Sequence, residues 1–255
     1  MENISLVLAD LDGTLFKNDK SISDYTKQTI KKLQKKGVLF GICTSRAYVN
    51  AIKFLDGIVP DIFITNGGGM VRLGDKKIYT CQFSVEEVRT LIDATFRICG
   101  PETIISADNE IGLYSNSKEE LGDKFWTFND FSDFNEPAMK MCIETLDHDK
   151  VSQIAESIGP DKIDFLPFSD IPWYKLTLKD ATKEKAITEL SKSINIPLEG
   201  IAAFGDDFSD IGMLKLCGYG IAMSNAIDEV KKIASGTCPS NEEDGVARWL
   251  EEKLL

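Results

Sequence analysis

Short apolar runs alternate with amphipathic stretches in the first third of the chain. The runs at 4–9, 38–43 and 61–64 are typical of buried strands, and the stretches near 23–36 and 46–56 have the apolar spacing of helices. Alternation of strand and helix with continuously apolar strands indicates a parallel sheet covered on both faces. This part of the chain therefore predicts an α/β fold with a doubly wound parallel sheet.

The pattern changes near residue 83. Helical stretches near 84–98 and 149–158 are mixed there with short strands and turns, which is typical of an α+β domain with antiparallel strand pairs. The strands predicted in this region lie at 103–107, 111–115, 138–144, 161–166 and 173–179. This segment therefore follows a different plan from the one before it.

Alternation of helix and strand returns after Lys183 and continues to a helix at 243–254. The two outer segments are therefore predicted to form one core from residues 1–82 and 181–255. The segment 83–180 is predicted to be a domain inserted between them, since insertion at a loop is a tolerated architecture.

Composition limits the classes of partner. The 255 residues are 43% hydrophobic and carry a formal net charge of −12, which argues against a nucleic acid or an anionic membrane as partner. The chain contains no uncharged apolar run near the roughly 18 residues that a membrane helix needs. Its six scattered cysteines include no C-x-x-C pair, and no basic-then-apolar leader opens the sequence. We expect a cytoplasmic protein that acts on a small molecule, and the sequence is compatible with a monomer.

Two carboxylates, Asp10 and Asp12, stand two positions apart where the first apolar strand ends. Residues at this spacing in a strand point the same way, so both acids can face one small space. Two like charges so close disfavour joint ionisation unless a cation or a shared proton intervenes. The pair therefore indicates a hard metal ion, an acid/base pair, or both.

Three further polar residues follow the strands predicted later in the chain. Thr44 and Asp206 come directly after apolar strands, and Lys183 opens the next helix. Ligands of a doubly wound sheet bind at the carboxyl ends of its strands, so we expect these residues at one rim with Asp10. Carboxylates suit a hard cation, and a hydroxyl with an ammonium suits phosphate oxygens. The residues alone predict metal-assisted phosphoryl chemistry.

Four ordered motifs resemble those of the haloacid dehalogenase (HAD) superfamily of phosphohydrolases. They are Asp10-Leu11-Asp12-Gly13-Thr14-Leu15, Thr44-Ser45-Arg46, Lys183, and Gly205-Asp206-Asp207-Phe208-Ser209-Asp210. The stretches 65–68 and 222–226 resemble two more segments of its Cof-like branch, subfamily IIB. The resemblance implies a Mg²⁺-dependent phosphatase of small phosphomonoesters, with a Rossmann-like core and a cap that covers the active site. It implies sugar phosphates as substrates, with pyridoxal phosphate and flavin mononucleotide after them.

The resemblance also implies residue roles. The residue matching Asp10 attacks phosphorus and forms an aspartyl-phosphate, and the one matching Asp12 protonates the leaving alcohol and then activates water. Matches to Thr44 and Lys183 hold the transferring phosphoryl group. All four residues are therefore predicted to be catalytic.

The resemblance also implies which residues contact the metal and the substrate. Asp10, the backbone carbonyl of Asp12 and Asp206 are the implied Mg²⁺ ligands, with Asp210 as a further ligand or as outer support. Beside Thr44 and Lys183, the implied contacts to phosphate or leaving group are Arg46 and Asn225.

Three positions depart from the family's usual pattern. Ser45 and Glu184 stand where Gly is usual, and Ser209 replaces an Asn. The loss of an amide at Ser209 bears on metal affinity and on rate, whereas the positions expected to be the nucleophile, the acid/base, the lysine and Asp206 are intact.

Structural explanations compete with several of these roles. Thr44 could be a helix N-cap, Asp206 a loop cap, and Lys183 a solvated residue at a helix start. The run 67–69 could cradle phosphate, although a tight turn into the hairpin near 73–76 is favoured. In the insert, His148 is expected to be a solvated turn residue. The insert's aromatic residues are expected to form its core: Phe125, Trp126, Phe128, Phe131 and Phe134.

Two other functions remain open. A sugar phosphomutase shares the opening motif and would return the phosphoryl group to a sugar, and a phosphate- or sugar-binding protein would perform no chemistry. In each enzymatic case the insert is expected to set substrate choice, with the turns near 108–109 and 171–173 as candidate contacts.

Overall fold

The computed structural model describes residues 4–118, 126–168 and 171–255. The chain forms two compact units. The first comprises Met1–Arg46, Asn50–Thr80 and Thr182–Leu255, and the second comprises Ala47–Val49 and Cys81–Ala181.

Strands and helices of the described residues are numbered here in chain order. The strands are β1 (Leu6–Ala9), β2 (Leu39–Cys43), β3 (Ile62–Thr65), β4 (Met70–Leu73), β5 (Lys76–Thr80), β6 (Ile105–Asp108), β7 (Leu113–Ser115), β8 (Trp126–Phe128), β9 (Lys140–Glu144), β10 (Ile163–Pro167), β11 (Trp173–Leu178), β12 (Ile201–Gly205), β13 (Tyr219–Met223) and β14 (Gly236–Cys238). The helices are α1 (Asp24–Lys35), α2 (Tyr48–Ala51), α3 (Val85–Cys99), α4 (His148–Glu156), α5 (Lys183–Ile194), α6 (Ile211–Leu216), α7 (Asp228–Ile233) and α8 (Gly245–Leu254). In the part of the chain described, no helix combines the length and hydrophobicity needed to span a bilayer.

The first unit is built on an eight-stranded sheet with the order β14-β13-β12-β1-β2-β3-β4-β5. Its first six strands are parallel, and β4 and β5 add an antiparallel hairpin at one edge. All residues of β1 and β12 are buried, as expected for central strands covered on both faces. The predicted α/β class with a doubly wound parallel sheet is confirmed.

Helix α5 shows why the sequence folds locally as it does. Its N-cap Thr182 accepts a hydrogen bond from the backbone N–H of Lys185. Ala186, Ile187 and Leu190 are buried on one face of the helix, and the chain turns left-handed at Asn195, where the helix ends.

The second unit is built on a six-stranded sheet with the order β10-β11-β9-β6-β7-β8. All of its neighbouring strands are antiparallel except β7 and β8, which are parallel. Helices α3 and α4 pack on one face through an apolar core that includes Leu91, Ile154, Met141 and Leu176. The unit is an α+β domain.

Of the four described aromatic residues that were predicted to form the core of the insert, two do so, and Trp126 is only half-buried. Phe131 and Phe134 lie in the apolar core, whereas Phe128 is 41% exposed, and Phe125 lies outside the described residues. His148 is exposed at the first position of α4 and packs its ring against Phe165, with ring centroids 5.2 Å apart.

Two elements differ from the sequence prediction. The helix expected near 46–56 is only the single turn α2, followed by a 3₁₀ turn at Ile52–Phe54. Asp56 and Gly57 both have positive φ and end this segment, because a helix cannot continue through left-handed residues. The short strand β8 was not predicted, since an apolar–polar alternation over only three residues is too short to indicate a strand.

Candidate active site

The carboxyl ends of three neighbouring strands of the first unit bring the predicted residues together. Strand β1 pairs with β12 on one side and with β2 on the other. Asp10, Thr44 and Asp206 each follow the last residue of one of these strands. Their side chains therefore lie along one rim of the sheet, as the sequence predicts.

Lys183 is the first residue of α5, and its side chain is buried. Its ammonium donates hydrogen bonds to Asp10 Oδ1 at 2.7 Å and to Asp210 Oδ1 at 2.6 Å. Only 3% of Lys183 is exposed, so the residue is not a solvated helix-start lysine. Burying an ammonium is costly unless it is paired, and the two carboxylates provide that pairing.

Asp210 holds the loop that carries Asp206. Its Oδ2 accepts hydrogen bonds from the backbone N–H of Asp206 at 2.9 Å and of Asp207 at 3.2 Å. Its Oδ1 faces Lys183, so both oxygens of this fully buried carboxylate are engaged. This arrangement favours outer support over direct metal ligation for Asp210.

Asp10, Asp206 and Asp210 form an acidic cluster whose nearest oxygens all lie within 4.8 Å of one another. Burial, together with the charge of Asp210, raises the pKa of Asp10 to about 7, although the Lys183 ammonium acts in the opposite direction. Burial also raises the pKa of Asp206 to about 6, against a hydrogen bond from Thr14 Oγ1 at 2.7 Å. A divalent cation would favour the charged forms of both groups.

Gly13 allows the first motif to approach the fourth. Its φ is +75°, and a Cβ added there would overlap Asp206 Oδ2. Only glycine combines this left-handed conformation with so close an approach. The glycine therefore positions the metal-ligand candidate Asp206 directly beside the turn that follows Asp10 and Asp12.

Asp12 is held by two cations. Arg46 donates from Nε to Oδ2 at 2.6 Å and from Nη2 to Oδ1 at 2.7 Å, and Lys20 donates to Oδ1 at 2.7 Å. Burial alone would raise the pKa of Asp12, but these hydrogen bonds and charges lower it below its usual value. In this arrangement Asp12 is an ionised acceptor.

Arg46 and Asn225, the predicted further contacts to phosphate or leaving group, both make hydrogen bonds to residues of the first motif. The Arg46 guanidinium packs over Phe54 and Phe16, with its Cζ 4.9 Å and 5.7 Å from the ring centroids, while it binds Asp12. Asn225 donates to the carbonyl of Gly13 and accepts from the backbone N–H of Asn241. Both residues fix their neighbours in the arrangement seen.

Thr44 is buried, and its Oγ1 accepts a hydrogen bond from the backbone N–H of Arg46 at 3.2 Å. Its carbonyl accepts from the backbone N–H of Gly67 at 3.0 Å. A Cβ on Gly68, whose φ is +108°, would overlap the carbonyl oxygen of Thr182. The glycine run 67–69 is therefore a tight turn that lies against the second and third motifs.

The three positions that depart from the family's usual pattern lie in well-defined places in the structure. Ser45 and Ser209 are exposed, and the Glu184 carboxylate lies against Gly212, where a larger residue would overlap it. Asp207 caps the 3₁₀ turn at Phe208–Asp210, which is a structural role.

Lys20 is the site residue that sequence reasoning missed. It lies eight residues after Asp12 in a loop, adopts a φ of +65° and reaches back to the Asp12 carboxylate. A single loop lysine carries no spacing signal, so only the fold brings it to the motif.

The sequence matches the family pattern of the haloacid dehalogenase-like hydrolases over residues 7–250. YitU of Bacillus subtilis (strain 168), a 5-amino-6-(5-phospho-D-ribitylamino)uracil phosphatase, is 29% identical over 262 residues that cover 97% of this chain and 96% of that protein. Among solved structures, TM0651 from Thermotoga maritima has a TM-score of 0.86 at 21% identity, covering 99% of this chain and 98% of that one. The subclass IIB sugar phosphatase BT4131 has a TM-score of 0.77 at 22% identity, covering 97% and 98%. The family pattern spans nearly the whole chain, so this protein belongs to the haloacid dehalogenase-like hydrolases, as its motifs predict.

Proposed function

We propose that this protein is a Mg²⁺-dependent phosphatase that hydrolyses small phosphomonoesters through an aspartyl-phosphate on Asp10. The observation that carries the proposal is the buried ammonium of Lys183 between Asp10 and Asp210, beside the carboxylate of Asp206. A buried cation that braces one carboxylate next to two others suits a nucleophile that must approach an anionic phosphoryl group.

The donor set fits a magnesium ion. The three carboxylates of the cluster offer only oxygen, and hard divalent cations prefer oxygen ligands. Asp10, Asp206 and the carbonyl of Asp12 would hold the ion, and Asp210 would orient Lys183 and the loop of Asp206. When bound, the ion supplies positive charge that favours ionised Asp10 and offsets charge on the phosphoryl oxygens.

The protein's own groups then account for two balanced steps. A carboxylate oxygen of Asp10 attacks phosphorus, and the bond from phosphorus to the leaving alcohol oxygen breaks as Asp12 gives that oxygen a proton. In the second step Asp12 takes a proton from water, whose oxygen attacks phosphorus. The bond from phosphorus to Asp10 breaks, and inorganic phosphate leaves.

Asp12 has to change partners during this cycle. Bound to Arg46 and Lys20 it is ionised, which suits the base of the second step. Donation of a proton in the first step requires that Asp12 exchange these cations for the leaving oxygen. Thr44 and Lys183 would contact the phosphoryl oxygens, the former through its hydroxyl and the latter through its ammonium.

Sugar and polyol phosphates are the substrate class we propose. The names of YitU and BT4131 describe phosphatases of a ribityl phosphate compound and of sugars, respectively. The first unit's motifs deal with phosphate and metal, so we assign substrate choice to the insert, residues 83–180. The free thiols of the described residues Cys43, Cys99, Cys142, Cys217 and Cys238 support a reducing cytoplasm as the place where the protein acts.

Hydrolysis of a phosphomonoester panel by purified protein tests the proposal. We expect inorganic phosphate from at least one sugar or polyol phosphate, with loss of activity in chelator and recovery on added Mg²⁺. A protein that needs a bisphosphate activator and returns isomerised sugar phosphate would instead be a phosphomutase. A protein that binds these esters without turnover would contradict the catalytic proposal.

A further inference from the structure

The turn that carries Gly13 and Thr14 is the part of the first motif that lies against Asp206. Thr14 Oγ1 donates a hydrogen bond to Asp206 Oδ1 at 2.7 Å, and a Cβ on Gly13 would overlap Asp206 Oδ2. Within the turn, the backbone N–H groups of Thr14 and Phe16 both donate to the carbonyl of Leu11, at 3.3 Å and 2.8 Å. Like the last turn of a helix, a turn of this kind leaves carbonyl groups that need donors from elsewhere.

Two asparagine side chains from the C-terminal part of the first unit supply such donors. Asn225 Nδ2 donates to the carbonyl of Gly13 at 2.8 Å, and Asn241 Nδ2 donates to the carbonyl of Phe16 at 2.9 Å. The two asparagines also bond to each other, because Asn225 Oδ1 accepts the backbone N–H of Asn241 at 3.1 Å. They therefore form one hydrogen-bonded group that holds the turn at two points.

Asn241 is itself well anchored. It is only 5% exposed and is the first residue of a 3₁₀ turn at Asn241–Glu243, which Ser240 and Glu243 close with a capping box. Its Nδ2 also donates to Asn18 Oδ1 at 3.3 Å, so the amide nitrogen serves two acceptors in the segment after the first motif. A buried amide engaged in this way is suited to fix that segment, because loss of the amide would leave buried acceptors without donors.

We propose that Asn241 is a positioning residue of the active site, which together with Asn225 fixes the turn of Gly13 and Thr14 against Asp206. This inference rests on the proposed phosphatase function, and it concerns residues of the first unit alone. Asn241 acts through the turn and not on the substrate. Its loss should therefore weaken Mg²⁺ binding and lower kcat, with little change in KM.

The test replaces Asn241 by alanine, which removes both side-chain hydrogen bonds and leaves the backbone N–H that Asn225 accepts. The apparent Kd of Mg²⁺ is obtained from the rise of Tm with Mg²⁺ concentration, a measurement that needs no turnover. We expect Asn241→Ala to raise this Kd about 3- to 30-fold, as for one or two lost hydrogen bonds, and to lower kcat for p-nitrophenyl phosphate by a similar factor. The KM should stay within about threefold of wild type.

Gln34 offers a matched control in the same unit. Its side-chain amide also donates to a backbone carbonyl and to a side-chain oxygen, namely the carbonyl of Val59 at 2.9 Å and Asp61 Oδ2 at 3.0 Å. Both partners precede β3, at the end of the sheet opposite to the acidic cluster. Gln34→Ala should lower Tm but leave the apparent Kd of Mg²⁺ and kcat within about twofold of wild type, as expected for a distant site.

A second variant and a double variant test the joint action of the two asparagines. Asn225 is exposed, so Asn225→Ala removes the donor to Gly13 with little risk to folding, and it should raise the same Kd. If the two residues hold one turn, the double variant should bind Mg²⁺ about as weakly as the weaker-binding single variant. Losses that multiply in the double variant would show two independent contacts and overturn the joint role.

The remaining outcomes separate this inference from the proposed function. A lower Tm of Asn241→Ala with the wild-type Kd of Mg²⁺ and the wild-type kcat would overturn the positioning role while the phosphatase proposal stands. A change confined to KM would overturn it as well. A wild-type protein that hydrolyses no phosphomonoester would overturn the proposed function alone, since the Mg²⁺ titrations of the variants would still decide the role of Asn241.

Discussion

At the scale of single residues, the site depends on how buried charges are compensated. Asp10 lies within a cluster of carboxylates that would repel one another, and the Lys183 ammonium is the cation that touches two of them. Such a group of coupled charges is expensive to bury and gives no stability by itself. Its presence at strand ends is therefore better explained by chemistry than by folding.

Replacement of Asp10 by Asn should abolish turnover, because an amide oxygen does not attack phosphorus in place of a carboxylate. We expect the free energy of unfolding to change little, since the amide has nearly the same volume. Asp12→Asn should reduce kcat about 10²- to 10⁴-fold, the usual contribution of general acid/base help. Steady-state kinetics and chemical unfolding measure both quantities. Near-wild-type rates in contaminant-free Asp10→Asn would rule out the covalent route.

Asp206 and Asp207 are adjacent but should differ in their response to metal. Asp206 belongs to the acidic cluster, whereas Asp207 is exposed and caps a 3₁₀ turn. We expect Asp206→Ala to raise the Mg²⁺ concentration for half-maximal activity at least about tenfold, in line with loss of a metal ligand. Asp207→Ala, the matched control, should change it little. Similar changes in this Mg²⁺ concentration for the two variants would contradict the assignment of Asp206, and not Asp207, as the metal ligand.

Arg46 should contribute more than Lys20 to the position of Asp12. Arg46 makes two hydrogen bonds to Asp12 and packs over Phe54, whereas Lys20 makes one and has a 43% exposed side chain. We expect Arg46→Met to cost about 1–3 kcal/mol of unfolding free energy. Lys20→Met should cost about 0–1 kcal/mol, as exposed pairs do. Urea denaturation measures both, and the reverse order would contradict the arrangement described for Asp12.

At the scale of elements, the turn after β1 brings the first and fourth motifs together. Gly13 and Gly37 both have positive φ, but a Cβ at Gly13 would overlap Asp206, whereas a Cβ at Gly37 would meet nothing within 4 Å. Gly37→Ala should therefore cost only the left-handed backbone penalty, about 1–2 kcal/mol. Gly13→Ala should carry the same penalty and also displace Asp206, with a large loss of kcat and of Mg²⁺ affinity. Equal effects of Gly13→Ala and Gly37→Ala on kcat and on Mg²⁺ affinity would show that the close approach of Gly13 to Asp206 is not needed.

Local signals predicted those elements whose patterns are strong. Helix α5 begins at Lys183, as expected from the sequence, and its N-cap Thr182 agrees with this start. A long helix was predicted after Thr44, but this segment forms one α-helical turn followed by a 3₁₀ turn. The positive φ values of Asp56 and Gly57, which end it, are not visible in its composition. Strand β8 exists through its pairing with β7, which is a property of the folded unit.

The candidate site likewise has features that the sequence predicts and features that depend on the folded chain. Strand-end placement brings Asp10, Thr44 and Asp206 together from sequence alone, since the carboxyl ends of parallel strands share a rim. The rotamers that join Arg46 and Lys20 to Asp12 depend on side chains distant in sequence or in irregular loops. Spacing along the chain carries no information about such contacts, so these partners became visible only in the structure.

At the scale of the whole molecule, the chain forms two compact units, between which we propose that its tasks are divided. In the first, parallel strands gather carboxylates and a lysine at one rim, which accounts for phosphate chemistry common to all phosphomonoesters. In the second, a sheet packed on one face by α3 and α4 carries the ion pair of Asp108 and Lys140 on its opposite face. If the insert sets substrate choice, as we propose, substrate preference can change without disturbance of the reacting groups.

A trapped phosphoenzyme is the most direct test of the central claim, that Asp10 is the nucleophile. Asp12→Asn is mixed with p-nitrophenyl phosphate and Mg²⁺ and quenched in acid, because p-nitrophenolate leaves without the proton that Asp12 would give, whereas the release of phosphate still needs Asp12 as a base. The N-terminal tryptic peptide that ends at Lys17 is then sequenced by mass spectrometry. We predict one added phosphoryl group on Asp10, and none when Asp10→Asn is combined with Asp12→Asn. Phosphate on another residue, or turnover by wild type with no trapped phosphoenzyme in Asp12→Asn, would contradict the account.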